Sequence, residues 1–296
     1  MEKAIVLFSG GLDSILVAKI LKEQSLDVVA LNFKLPFVKD NSLDIGKKFL
    51  EKEKITLKIF DCNKGKLLSE YLEIIKKPAH GRGNGLNPCV DCKIFILNKA
   101  KEYSIKNKIS IIATGDVLDE RPMSQNIQAL KLIDKKVGFE ILRPLSARLL
   151  NETSAEKNNL LNRDKFFAIQ GKKREIQMHL AKKFSIHEYP QPGGGCLLCE
   201  KINSRIIKLL LSKNLINSQT LKLIRAGRHF YYENCWFVVG RDEKENSTLE
   251  KFENTLKSGK SKPAVYFYTE SGESFARVLQ DAYKNKDYNG VEKFKI

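Results

Sequence analysis

The run Ser9-Gly10-Gly11-Leu12-Asp13-Ser14 decides how the chain is read. Before it stands Ala4-Ile5-Val6-Leu7-Phe8, a short apolar run of the kind a buried parallel strand shows. After it, Ile15, Leu16, Ala18, Ile20 and Leu21 recur at helical spacing through residues 15–23. The order is therefore strand, Gly-rich turn, helix. Gly10 and Gly11 let the backbone turn sharply and approach a ligand closely. The new helix offers unpaired N–H groups and the positive end of its dipole, which suits a phosphate. Ser9 and Ser14 add hydroxyl donors. Asp13 would repel a phosphate directly, so its use is to orient the loop or to hold Mg²⁺. No Gly-Lys-Ser/Thr closes the run, which excludes a Walker-type loop.

Further apolar runs follow at residues 28–33 and 55–60, with helix-like segments at 42–54 and 64–76. This alternation predicts βαβ units: an α/β, doubly wound parallel sheet with helices on both faces. Ligands of such sheets sit beyond the carboxyl ends of the strands. Asn32 and Phe33 are thereby expected near the nucleotide, on its adenine side, with plain packing the alternative for Phe33. A fourth buried strand at 110–114 delivers Thr114, Gly115 and Asp116 to the same crevice, where Asp116 is a second candidate for Mg²⁺. Residues 78–88, rich in Gly and Pro, read as a mobile loop over the site. Leu130 to Ile133 and Phe139 to Leu142 read as short strands, and residues 154–184 as helical and basic.

The Pro/Gly linker at 189–195 and a change of character beyond it place a domain boundary near residue 200. Residues 201–296 read as a smaller α+β domain. A hairpin is expected over Arg228 to Val239, a helix at 248–257, a strand at 264–268 and a helix at 274–284.

The 296 residues carry 42% hydrophobic content and no apolar run long enough to cross a bilayer. Met-Glu-Lys leads at once into the first strand, so a cytoplasmic protein without a signal peptide and without a membrane partner is expected. A net charge of +17 suits a polyanion such as tRNA, although a Lys-rich composition also follows from compositional bias. Lys172, Lys173, Arg174, Arg225, Arg228 and Arg241 are the candidate phosphate contacts.

Four of the six cysteines form two CxxC pairs, Cys89 with Cys92 and Cys196 with Cys199. Each pair lies beside a Gly/Pro-rich loop and is expected to open a helix, which lowers thiol pKa values. Brought together, four thiolates bind Zn²⁺ or an iron–sulfur cluster, or carry persulfide sulfur. Cys62 and Cys235 sit in apolar surroundings and read as buried bystanders.

The loop at 9–14 resembles the pyrophosphate loop of the ATP pyrophosphatase superfamily, whose members adenylate a substrate oxygen and release pyrophosphate. Together with Asn87-Pro88-Cys89, Ala113-Thr114-Gly115-Asp116, Met123-Ser124-Gln125 and Leu142-Arg143-Pro144-Leu145, it is similar to the catalytic domain of tRNA-uridine thiolases over roughly residues 1–200. The 4-thiouridine synthetases are nearest and the 2-thiouridylases looser. The resemblance implies a Rossmann-like nucleotide domain of the adenine nucleotide alpha hydrolase type, with ATP and Mg²⁺ as cofactors. It implies a sulfide or persulfide donor such as a cysteine desulfurase.

The cysteine pattern is similar to that of iron–sulfur-dependent thiolases. This implies Cys89, Cys92 and Cys196 as ligands of a [4Fe–4S] cluster, with Cys199 a fourth ligand or a nearby thiol. Against the 4-thiouridine synthetases, an N-terminal tRNA-binding domain and a rhodanese-like domain are not expected, since the pyrophosphate loop opens the sequence. The order Gly227-Arg228-His229-Phe230, Val238-Val239-Gly240-Arg241, Glu245-Asn246 resembles the RNA-binding module of ribosome-rescue proteins. The expected activity is ATP-dependent tRNA thiolation. The alternatives are a pyrophosphate-loop amidotransferase or ligase acting on a small metabolite, and a non-catalytic RNA-binding protein with a structural zinc.

Overall fold

The computed structural model describes residues 2–38, 43–191 and 195–296; Ser42 and linker residues 192–194 lie outside the described residues. The chain forms two compact units, Met1–Cys199 and Glu200–Ile296.

The first unit runs β1 (Lys3–Leu7), α1 (Leu12–Lys22), β2 (Asp27–Lys34), α2 (Leu43–Lys52), β3 (Thr56–Asp61), α3 (Gly65–Lys76), α4 (Cys89–Asn107), β4 (Ile111–Thr114), α5 (Ile127–Val137), β5 (Ile141–Leu142), α6 (Ser154–Lys157) and α7 (Glu175–Lys183). The five strands are parallel, in the order β3-β2-β1-β4-β5. Side chains alternate across the sheet as the pleat requires. Ala4, Val6, Val28, Ala30, Ile111 and Ala113 pack on one face with α1 and α2. Ile5, Leu31 and Ile112 pack on the other with α4 and α5. Both faces are covered, which is why the strands read as continuous apolar runs. The chain moves outward from β1 to β3 and then returns to β4 on the other side of β1. The mouth between β1 and β4 is therefore the topological switch point, where such sheets bind ligands.

Three expected elements differ from those formed. Residues 130–133 are not a strand but the middle of α5. Asn126 caps that helix by accepting from Ala129 N–H at 2.9 Å, Leu130, Ile133 and Val137 recur on its buried side, and left-handed Gly138 ends it. A four-residue apolar run alone does not distinguish the two periods. Residues 154–184 are not one helix. Only α6 and α7 are α-helical, and between them Phe167 and Ile169 donate backbone N–H groups to Pro144 and Leu145. The helix expected at 248–257 lies earlier, at Glu243–Leu249, because Asp242 accepts from Glu245 N–H and caps it there.

The second unit comprises α8 (Lys201–Ser212), β6 (Arg228–Tyr232), β7 (Cys235–Val239), α9 (Glu243–Leu249), β8 (Thr255–Leu256), β9 (Val265–Phe267) and α10 (Glu273–Asn285). Its strands form one antiparallel sheet in the order β6-β7-β9-β8. Glu233 and Asn234, both at positive φ, turn the β6–β7 hairpin. Ala276 and Leu279 of α10 share a core with Phe230, Phe237 and Val265. Gly227 has a φ of +68°, and a Cβ there would stand 2.4 Å from the Val239 carbonyl oxygen. Among the expected phosphate contacts here, Arg241 is paired with Glu245, and Arg228 lies over the Tyr283 ring, 5.0 Å from its centroid.

Beneath the hairpin, Trp236 Nε1 donates to His229 Nδ1 at 3.1 Å, and the rings stack 5.7 Å apart. Burial, helped by the charge of Arg241, pushes His229 down from 6.5 to about 4. A proton is then bound by the unfolded chain before the folded one, so stability is complete above pH 6.5 and falls between 6.5 and about 4. The expected loss is about 3 kcal/mol. Trp236 is the single tryptophan of the chain, so its emission reports this unit alone. Denaturant titrations at pH 7.5 and 4.5 should show the drop, and His229→Gln should flatten it. An unchanged midpoint between the two pH values would refute the buried neutral imidazole.

Candidate active site

The turn after β1 is built as an anion cradle. Gly10 takes a φ of +82°, which favours glycine. Gly11 is the N-cap of α1 and gives no side-chain cap to the first N–H groups of that helix. Ser9 Oγ accepts from Gly11 N–H at 3.3 Å, and Ser14 Oγ donates to the Gly11 carbonyl at 2.8 Å. Ser9 Oγ also donates to Ser14 Oγ at 3.4 Å, so both hydroxyl protons are spent within the loop, and a phosphate would have to draw one of them away.

Two glycines press on this loop. A Cβ on Gly115 would stand 2.9 Å from both Asp13 C and Ser14 N. A Cβ on Gly46 of α2 would stand 2.8 Å from Gly10 Cα and from the Phe8 ring. Gly46 carries no signal in sequence, since it sits inside an ordinary amphipathic helix. Gly115→Ala should cost about 1–3 kcal/mol by overpacking and weaken nucleotide binding by about tenfold. Thermal melting with ATP titration checks this; wild-type affinity would show that the loop yields freely.

Asn32 is buried and donates to the Phe8 carbonyl at 2.8 Å, while its Oδ1 has no partner. Phe33 stacks on Phe60, centroids 4.7 Å apart, so it packs within the sheet's second core. Asp116 does not end free. Lys93 of α4 donates to its Oδ1 together with Gln125 Nε2 at 3.0 Å, and Thr114 Oγ1 donates to Oδ2 at 3.0 Å. Arg143 Nε lies 3.9 Å from Oδ2. Burial by itself would raise this carboxyl, but Lys93 and Arg143 outweigh it and hold Asp116 well below the usual carboxylate range. A carboxylate so occupied does not suit Mg²⁺. Asp13 Oδ1, by contrast, is buried and makes no hydrogen bond within 3.5 Å. Burial raises Asp13, against the charges of Arg174 and Arg121.

Lys93 was missed in the sequence, although it directly follows Cys92. No spacing rule tells which carboxylate a helical lysine will reach across a fold. It ties the cysteine helix to the nucleotide mouth: Asp13–Ser14 touches Gly115, Gly115 precedes Asp116, and Asp116 holds Lys93.

The cysteine segments are joined by backbone. Leu86 N–H donates to the Leu198 carbonyl at 2.8 Å, Leu197 N–H to Phe37 at 2.8 Å, and Cys196 bridges Val38. Cys89, Cys92 and Cys196 feel one another's charge, and Cys196 also feels Cys199. Asn87 Nδ2 donates to Cys89 Sγ at 3.2 Å, and Tyr71 OH lies 3.5 Å from Cys92 Sγ. Cys199 is exposed, whereas Cys62 and Cys235 are buried as expected.

The expected lowering of thiol pKa values is reversed. Burial pushes Cys92 up to about 11, against the Tyr71 hydrogen bond, and Cys196 up to about 12. Only Cys89 and Cys92 open a long helix; Cys196 precedes a short 3-10 turn, Leu197–Cys199. The loop at 78–88 is also tied down. Asp91 accepts from the backbone N–H groups of Ala79 and His80 and pairs with the His80 ring at 2.8 Å. Arg82 donates to the carbonyls of Ile75 and Lys76. Among the described residues, no group of three or more His, Cys, Asp or Glu side chains stands in a metal-holding arrangement. The soft thiol donor set suits a cluster or zinc in kind. No helix among the described residues is long and apolar enough to cross a membrane.

A "Probable tRNA sulfurtransferase" of Alkaliphilus oremlandii is 25% identical over 146 residues, 49% of this chain and 36% of that protein. The "tRNA-specific 2-thiouridylase MnmA" of Desulfosudis oleivorans is 30% identical over 111 residues, 37% of this chain and 30% of that protein. The chain thus spans about a third of the length of these curated relatives. Among solved structures, the predicted subunit of tRNA methyltransferase from Methanocaldococcus jannaschii matches at TM-score 0.40 and 15% identity, over 74% of this chain and 91% of that one. The U34-tRNA thiolase NcsA from Methanococcus maripaludis with its [4Fe-4S] cluster matches at TM-score 0.37 and 18% identity, over 75% and 70%. Residues 1–157, more than half of the chain and all of the sheet that carries the loop at Ser9–Ser14, match the family described as Thiamine biosynthesis protein (ThiI), and the chain belongs to that family.

Proposed function

We propose that the protein is an ATP-dependent tRNA sulfurtransferase. The observation that carries this reading is the linkage of the turn at Ser9–Ser14 to the helix that begins with Cys89 and Cys92, through Gly115, Asp116 and Lys93. A uridine carbonyl oxygen attacks the α-phosphorus of ATP, and pyrophosphate leaves. The Ser9 and Ser14 hydroxyls and the N–H groups at the start of α1 receive the departing pyrophosphate. Lys93, held by Asp116, presents positive charge where negative charge develops. Sulfide then attacks the activated carbon, the C–O bond breaks, and AMP leaves with the former carbonyl oxygen. Asp13 would hold the Mg²⁺ that accompanies ATP, neutralising phosphate charge.

Cys89, Cys92 and Cys196 would hold a [4Fe–4S] cluster, with Cys199 beside them; such a group supplies an iron that presents sulfide. A target base must leave its stack to reach the mouth. The second unit, with Arg225 and Arg228, is the proposed tRNA-binding module. The test is nucleoside mass spectrometry of tRNA incubated with anaerobically reconstituted protein, ATP and sulfide. Thiouridine is expected. Its absence from tRNA after ATP cleavage would favour a different acceptor.

A further inference from the structure

α7 lies beyond the family match, which ends at residue 157, yet it faces the pyrophosphate loop. Its Leu180 and Ala181 share a core with Leu12, Ile15 and Leu16 of α1. Arg174, Gln177 and Ala181 follow one another at helical spacing on that same face. Gln177 is 0% exposed, and neither its Oε1 nor its Nε2 has a hydrogen-bond partner. Arg174 Nε and Asp13 Oδ1 are likewise buried without partners. The described residues hold eight such atoms, and half of them meet here. Folded proteins rarely leave buried polar groups unpaired, so a concentration of them marks a missing ligand. Arg174 through its charge and Gln177 through a hydrogen bond too long to satisfy either group both act on Asp13, which places them over the turn. Arg121 adds a third donor from the loop after β4.

We propose that Arg174 and Gln177 of α7 form the second wall of the nucleotide site and bind the polyphosphate of ATP against the Ser9–Ser14 turn. This rests on the reading of that turn as an ATP site. It reassigns Arg174, which by its place in a basic run read as a contact for nucleic acid. The chemistry is complementary. Arg174 Nε and Gln177 Nε2 are donors and match an all-acceptor polyphosphate, while the acceptors Asp13 Oδ1 and Gln177 Oε1 are left for the cation that accompanies it. The two walls also solve the difficulty posed by Asp13, whose negative charge in an anion site is offset by Arg174 and Arg121.

The test is titration of the full chain with Mg²⁺-ATP, beside thermal melting without nucleotide. Gln177→Met replaces two unpaired polar atoms by an apolar chain of similar size. The free variant should melt at or above the wild-type temperature, while the Kd for ATP rises about tenfold or more. Arg174→Ala should lose as much, and Arg174→Lys should recover part of it, with tRNA affinity unchanged in all three. If the wild type binds ATP and both Gln177→Met and Arg174→Ala bind it within about twofold, the second wall is wrong and the turn alone binds. A lower melting temperature of Gln177→Met with unchanged ATP affinity would assign Gln177 a structural role and also overturn the proposal. A wild type that binds no ATP removes both this inference and the reading it rests on.

Discussion

Cys196→Ser abolishes thiouridine formation, by about 100-fold or more, while ATP is bound within about twofold of wild type. The two halves of this expectation come from different parts of the fold. The proposed ATP cradle consists of the β1–α1 turn, Gly46 and Gly115, none of which touches Cys196 in the hydrogen-bond network. Cys196 is instead held by its bridge to Val38 and by Leu197 N–H on the Phe37 carbonyl. These fasten it just past the end of β2, within reach of the charge of Cys92 and Cys89. Serine keeps the shape but not the soft sulfur donor. Cys89→Ser and Cys92→Ser should behave alike. Cys199→Ser separates two ligand counts: a three-cysteine site tolerates the change, and a four-cysteine site loses activity as with Cys196. Nucleoside mass spectrometry with ATP titration reads both halves. Wild-type thiolation by Cys196→Ser would remove the thiol cluster from the reaction.

Asp116→Ala should cost about 1–3 kcal/mol of stability and eliminate activity in the folded protein. Asp116 is 3% exposed and accepts from Lys93, Gln125 and Thr114, with Arg143 at 3.9 Å. Removing the carboxylate takes the counter-charge from half-buried Lys93 and from buried Arg143. Arg143 keeps its bonds to Asp134 at 2.6 and 2.8 Å, so Lys93 loses most. The same carboxyl gives a pH dependence. Its folded pKa is depressed, so its stabilisation is present above the unfolded value of about 4 and is lost as pH falls below that. Acid titration of wild type and Asp116→Asn, followed by circular dichroism, checks this. Asp116→Asn should be the less acid-sensitive protein. Equal acid midpoints would show that the Lys93–Asp116 pair contributes nothing.

The sheet was legible because its strands are buried on both faces and announce themselves as apolar runs. The turn was legible because Gly10 and Gly11 stand between such a run and a helical stripe. Contacts between distant elements were not. Lys93 and Tyr71 sit on helices whose periodicity explains them as surface and core, and only the packing of α3 and α4 shows that they reach Asp116 and Cys92. Thiol pKa values were misread for the same reason. Helix position is visible in sequence, but the burial that outweighs it at Cys92 and Cys196 is not. The α5 region is a helix because Asn126 caps it, a signal that a short apolar run masks.

The account stands on one nucleotide mouth serving one thiol cluster. The most direct measurement is the ratio of AMP released to thiouridine formed, in single turnovers with tRNA, ATP and sulfide. The prediction is one AMP for each thiouridine, with both products lost when tRNA is omitted. AMP released without tRNA, or thiouridine formed without AMP, would contradict a shared site.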